Sequence, residues 1–111
     1  MIMQKKGLVY YNNIRAGEII RTDSEYIFRY DPKYLNNDEL PALALSLPKS
    51  SEEFRSEYLF PFFFGLLAEG ELKNFQCRKL KIDENDHFTR LIKTAGQNTI
   101  GAVTVREAEN E

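Results

Sequence analysis

Gly96 and Gly101 bracket Gln97-Asn98-Thr99-Ile100, the glycine spacing of a loop that cradles phosphate oxygens with backbone amides. That chemistry needs a lysine and then a serine or threonine directly after the second glycine, to reach the phosphates and a magnesium ion. Ala102 and Val103 stand there instead, and the segment leads into a strand-like run rather than a helix. It reads as a helix C-cap followed by a loop. With His87 the only histidine and Cys77 the only cysteine, the chain cannot supply the four Cys and His ligands of a structural zinc site. Nor does either have a partner placed for nucleophilic catalysis. His87 is expected to face solvent at a helix start, and Cys77 to be a half-buried helix thiol. Glu52 and Glu53, like Glu69 and Glu71, are neighbouring acids of the kind that complement a helix dipole. No catalytic residue, cofactor or metal site is nominated, and no enzymatic activity is expected.

The bulk composition narrows the partners. The chain has 111 residues, 42% hydrophobic, 13% aromatic and 29% charged, which suits one globular domain with a real core. Fifteen basic and seventeen acidic residues give a formal net charge of −2. Nucleic-acid binding draws its affinity from clustered Lys and Arg. Here basic residues are interleaved with acids, as in Lys79, Lys81, Asp83 and Glu84, so direct DNA binding is not expected. One cysteine precludes an intramolecular disulfide and fits a reducing compartment. The basic start, Met1 to Lys6, lacks a following apolar run and is no signal peptide. The longest apolar stretch, Leu59 to Ala68, is about half of the roughly twenty residues that span a bilayer. A soluble cytoplasmic protein is expected.

The elements that would carry any site divide into two halves. Gly7 to Tyr11, Glu18 to Thr22 and Glu25 to Tyr30 read as strands, with Asn12, Asn13 and Gly17 flanking one turn and Asp23-Ser24 making the next. Tyr26, Phe28 and Tyr30 alternate with Ile27 and Arg29, the period of a sheet. Asp31-Pro32 ends that strand, and Lys33 to Asn37 is a helical turn or loop. Leu43, Leu45 and Leu47 alternate between Pro41 and Pro48 as a further strand. Ser50 and Glu53 offer a capping box for a helix that is well patterned from Tyr58 to Leu67, where Pro61 is tolerable only in a first turn. Gly70 ends that helix or lies in the junction after it. Glu71 to Leu80 is a second helix with Leu72, Phe75, Lys79 and Leu80 near one face. Asp86 caps a third, in which Phe88, Leu91, Ile92 and Ala95 recur at helical spacing before Gly96 at C′. Ile100 to Arg106 is the last strand, and 107–111 is an acidic tail.

The expected architecture is α+β: a small, mainly antiparallel sheet of about five strands, with two or three helices on one face. Residues 1–111 form one domain with a core from about 7 to 106.

One stretch is apolar beyond what such a domain needs. On a helical wheel Phe60, Phe63, Phe64 and Leu67 form a stripe, yet Phe62 and Leu66 lie off it. A helix of a small domain normally has one apolar stripe and one wet face. Either the domain covers this helix on both sides, or another protein covers part of it.

The order of blocks along the chain resembles the first N-terminal subdomain of HipA-type Ser/Thr kinases. The blocks are a strand opening at Gly7-Leu8, then Phe28-Arg29-Tyr30-Asp31-Pro32-Lys33-Tyr34-Leu35, then Ala44-Leu45-Ser46-Leu47-Pro48. They continue with Leu59-Phe60-Pro61-Phe62-Phe63-Phe64-Gly65-Leu66-Leu67-Ala68-Glu69-Gly70-Glu71-Leu72 and end at Ile100-Gly101-Ala102-Val103. Residues 7 to 106 carry the match. The Leu-Leu-x-Glu-Gly block and the terminal Gly-Ala-Val are its most specific parts. Ala68 stands where the family often has proline. In full-length relatives this region precedes the kinase domain, whereas this chain stops before it. Such a stand-alone copy resembles HipS, the small member of three-component HipB–HipS–HipT toxin–antitoxin systems.

The resemblance implies an antitoxin subunit that docks on a HipT-like Ser/Thr kinase in the place of the kinase's missing subdomain. Through that kinase it would join a HipB-like helix-turn-helix protein indirectly. The alternative it leaves open is an accessory module that completes or activates a HipA-like kinase. The contact surface is expected at the junction Ala68-Glu69-Gly70-Glu71, with Phe62, Leu66 and Leu72 as apolar anchors.

Overall fold

Two asparagines close the first hairpin. Asn12 and Asn13 have φ of 47° and 68°, the left-handed pair of a two-residue turn whose twist matches the strands it joins. In the computed structural model, which describes residues 5–96 and 101–108, that turn links strand β1 (Lys5–Tyr11) to β2 (Ile14–Arg21). A second turn leads to β3 (Tyr26–Tyr30), where the Thr22 hydroxyl accepts from the Ser24 and Glu25 amides. The meander expected from the sequence is present. However, β2 starts at Ile14, so Gly17 lies inside the strand and not in a turn. A Cβ there would sit 2.3 Å from the Arg29 carbonyl oxygen, so only glycine permits this approach of β2 to β3.

After β3 come the helical turn α1 (Pro32–Leu35), strand β4 (Glu53–Ser56), the helical turn α2 (Pro61–Phe64), helices α3 (Gly70–Leu80) and α4 (His87–Thr94), and strand β5 (Val103–Glu107). Among the described residues the sheet has five strands in the order β4-β3-β2-β1-β5, every neighbouring pair antiparallel. This is the α+β class expected, with four helical elements among the described residues where two or three were expected.

Three expectations in the middle of the chain are corrected. Leu43 to Leu47 is no strand; its only ladder contact is an isolated bridge between Ala44 and Leu47. The groups a strand would give to a neighbour go elsewhere. The Tyr30 hydroxyl donates to the Leu47 carbonyl and accepts from the Leu43 amide. The alternation of leucines reflects a tight loop with Leu47 inside and Leu45 fully outside.

Ser50 and Glu53 form no capping box. Glu53 opens β4, because the sheet edge gives it Arg29 as a partner at 3.0 Å and stacks Phe54 against Phe28. The helix expected over Tyr58 to Leu67 shrinks to Pro61–Phe64. Pro61 does take the first turn, but after Gly65 the amides of Leu66 and Leu67 bond three residues back, tightening the chain out of the α-helix. Gly70 accordingly opens α3 rather than ending α2.

The core lies between the inner sheet face and the helices. Val9, Ile19, Phe28, Tyr30, Val103 and Val105 point into it from the strands. Phe63, Phe88, Leu91 and Ile92 meet them from α2 and α4. Helix α4 is capped as expected: the Asp86 carboxylate accepts from the Thr89 amide at 3.1 Å. It settles on the sheet over Gly7, where a Cβ would meet Ile92 and Val105 at 2.9 Å. Gly96 follows the Ala95 cap without a positive φ. Gln97 to Ile100, most of the phosphate-loop-like segment and the expected start of the last strand, lie outside the described residues, as do 109–111 of the tail.

Candidate partner-binding site

The chain between α2 and α3 is fixed from below and open above. Leu67 is buried in the core, and Ala68 beside it is half-buried. The Ala68 carbonyl accepts a hydrogen bond at 2.7 Å from Nη2 of Arg90, the one buried charged residue among those described. Glu69 is extended, and Gly70 then takes φ of 63° with nothing within 4 Å of the place a Cβ would occupy. Glu69, Gly70 and Glu71 are exposed, and Leu72 is 57% exposed.

The residues expected from sequence thus separate into two groups. Ala68, Glu69, Gly70, Glu71 and Leu72 run without a break from the junction into the first turn of α3, exposed from Glu69 onward. Phe62 and Leu66 pack against the core as half-buried residues, with the Phe62 ring edge-on to Phe63 at 5.2 Å. Of the stripe read on the wheel, Phe60, Phe63 and Leu67 are buried. Phe64, the last residue of α2, is not: it is 46% exposed.

Sequence reasoning missed Arg90 and misplaced His87. Arg90 sits among the apolar repeats of α4, and nothing local marks it as buried. His87 is half-buried rather than fully turned to solvent. Its ring meets Phe64 edge-on at 5.0 Å, and its Nδ1 is enclosed without a hydrogen-bond partner among the described residues. Cys77 is a half-buried free thiol.

The outer sheet face is laced with charges. Glu18 meets Lys6 and Arg29, and Glu53 meets Arg29 and Arg55. Hydrogen bonds from Arg55 and then Arg29 hold the Glu53 carboxyl below its usual value. Exposed pairs of this kind contribute little to stability and leave the face polar. Among the described residues no three His, Cys, Asp or Glu side chains cluster closely enough to hold a metal, and no helix is long and apolar enough to cross a membrane.

Known proteins resemble the chain in sequence and fold. The structure is similar to that of the N-terminal domain of HipA toxin, with a TM-score of 0.73, 30% identity, and coverage of 96% of this chain and 95% of that one. An uncharacterized protein of Haemophilus influenzae is 38% identical over 90 residues, 80% of each chain. A putative kinase of Sinorhizobium fredii is 30% identical over 95 residues, which are 80% of this chain but correspond to only 23% of the kinase. Residues 7–106 match the family of HipA N-terminal domains. The chain belongs to that family.

Proposed function

We propose that the chain is a non-catalytic antitoxin subunit that binds and neutralises a HipT-like or HipA-like Ser/Thr kinase, occupying the position of a first N-terminal subdomain that the kinase lacks. The observation that carries this reading is the junction Ala68 to Leu72, exposed from Glu69 onward and anchored at Ala68 by Arg90 to the core of a fold that matches the HipA N-terminal domain. An exposed turn on a rigid base loses little freedom on binding, which favours affinity. Glu69 and Glu71 enter the kinase cleft, and Leu72, Phe62 and Leu66 give apolar contact beside it. A HipB-like helix-turn-helix protein joins through the kinase rather than through this chain, whose net charge of −2 is unsuited to holding DNA alone.

The test uses the whole chain and a HipT-like kinase lacking its own first subdomain. Glu69→Lys and Glu71→Lys are expected to leave the melting temperature nearly unchanged while weakening pull-down of the kinase and restoring its phosphorylation activity. Wild-type neutralisation by both variants would remove the turn from the contact surface. A rise in kinase activity on adding the wild-type chain would replace the antitoxin with an activating module.

A further inference from the structure

Helix α3 presents its apolar side to solvent. None of its eleven residues is buried. Lys73, Gln76 and Cys77 are its least exposed residues, whereas Leu72 and Phe75 are 57% and 52% exposed. Leu72, Phe75 and Lys79 recur at helical spacing on one side, and the Lys79 ammonium lies 5.6 Å from the centre of the Phe75 ring. A surface helix ordinarily turns such a stripe inward. At eleven residues α3 is also shorter than the ~12–15 at which an isolated helix becomes even marginal in water. Its own domain offers it little packing.

Charge indicates the kind of surface that would cover it. Lys73, Arg78, Lys79 and Lys81 against Glu71 give residues 70–81 a net charge of +3; since the whole chain carries −2, the remainder carries −5. The positive charge is therefore concentrated on the helix that exposes the apolar stripe. A phosphate backbone would suit the charge but leave Leu72 and Phe75 without partners at the centre of the contact. A protein groove with an apolar floor and a carboxylate rim satisfies both.

We infer that α3 lies along such a groove on the kinase, with Leu72 and Phe75 in its floor and Arg78 and Lys79 facing acidic residues at its rim. This rests on the proposed docking to a kinase and extends it, because α3 continues directly from the Glu69 turn. Helix-in-groove recognition uses this spacing of anchors.

The experiment titrates the whole chain against a HipT-like kinase lacking its first subdomain, by calorimetry, with melting curves of each variant. Leu72→Ser with Phe75→Ser, and separately Arg78→Glu with Lys79→Glu, are expected to keep the wild-type melting temperature and to weaken binding by about tenfold or more. Wild-type affinity should also fall as salt rises. If the apolar pair lowers the melting temperature, the charge pair decides. Tight binding by wild type and by the charge-reversed chain alike overturns the α3 groove and leaves the kinase reading intact. No binding by wild type overturns both. A concentration-dependent dimer, or a duplex DNA complex, that only the α3 variants abolish would assign the stripe to another partner and overturn the inference.

Discussion

Nη2 of Arg90 donates a hydrogen bond to the Ala68 carbonyl at 2.7 Å across 22 residues of sequence. The donor is on α4 and 3% exposed, while the acceptor begins the junction that leads into α3. A guanidinium in such a place costs desolvation unless it is well bonded. Here it fixes the base of the surface that carries the proposed contact.

Arg90→Met keeps an unbranched apolar stem and removes the bond. Loss of a hydrogen bond to a charged group costs about 1.5–3 kcal/mol. The urea midpoint should fall accordingly, and the amides of Glu69 to Glu71 should exchange faster. An unchanged midpoint would show that the bond contributes nothing net.

The Asp86 cap makes stability depend on pH. Burial pushes its carboxyl up, but hydrogen bonds from the side chain and backbone of Thr89, with the charges of Lys5 and Arg21, outweigh that and leave it below the usual value. As pH falls, the unfolded chain takes up this proton first, so the contribution is complete above about pH 4 and is lost through the lower folded value. Asp86→Ala should cost about 1 kcal/mol at neutral pH through loss of the cap. It should also flatten the acid limb of a stability–pH curve.

The alkaline limb belongs to Tyr34 and Tyr30. Burial, then the charges of Tyr30 and Tyr11, push Tyr34 up to about 12, and burial raises Tyr30 despite its bond from the Leu43 amide. The unfolded chain releases these protons first, from about pH 10. Stability is therefore present below that value and declines as pH rises toward the folded one. Tyr34→Phe gives up the 2.6 Å bond to the Pro41 carbonyl, at about 1 kcal/mol near neutrality. Its decline above about pH 10 should be shallower, as urea midpoints across that range would show.

What was legible in the sequence was local. Tyr26, Phe28 and Tyr30 alternate because one face of β3 is core, and Asp86 caps the helix beside it, so both signals needed only near neighbours. What failed depended on distant partners. Glu53 looks like half of a capping box until Arg29 is placed beside it. Leu43 to Leu47 looks like a strand until the Tyr30 hydroxyl takes its backbone groups. The junction from Ala68 to Leu72, exposed from Glu69 onward, was legible from the Glu-Gly pair after an apolar run. Arg90, which holds it, was not, since an arginine in an apolar repeat reads as an interruption rather than as an anchor.

The three consecutive phenylalanines after Pro61 let folding be separated from binding. Phe63 is fully buried, with rings of Phe62, Phe28 and Phe60 at 5.2, 5.5 and 6.2 Å. Phe63→Ala leaves a cavity in the core and should cost about 3–5 kcal/mol. Phe62 is only half-buried, so Phe62→Ala removes less apolar area and should cost about 1–2 kcal/mol, below the figure for full burial. Phe64, 46% exposed against His87, should cost less than about 1 kcal/mol. Denaturant melts on the three variants establish that order, and kinase binding at low temperature then reads the folded fraction of each. If Phe62 belongs to the contact surface, Phe62→Ala must bind more weakly than its folded fraction explains, while the folded fraction of Phe63→Ala binds normally. Equal binding per folded molecule would return Phe62 to a purely structural role and leave the contact to Ala68 through Leu72.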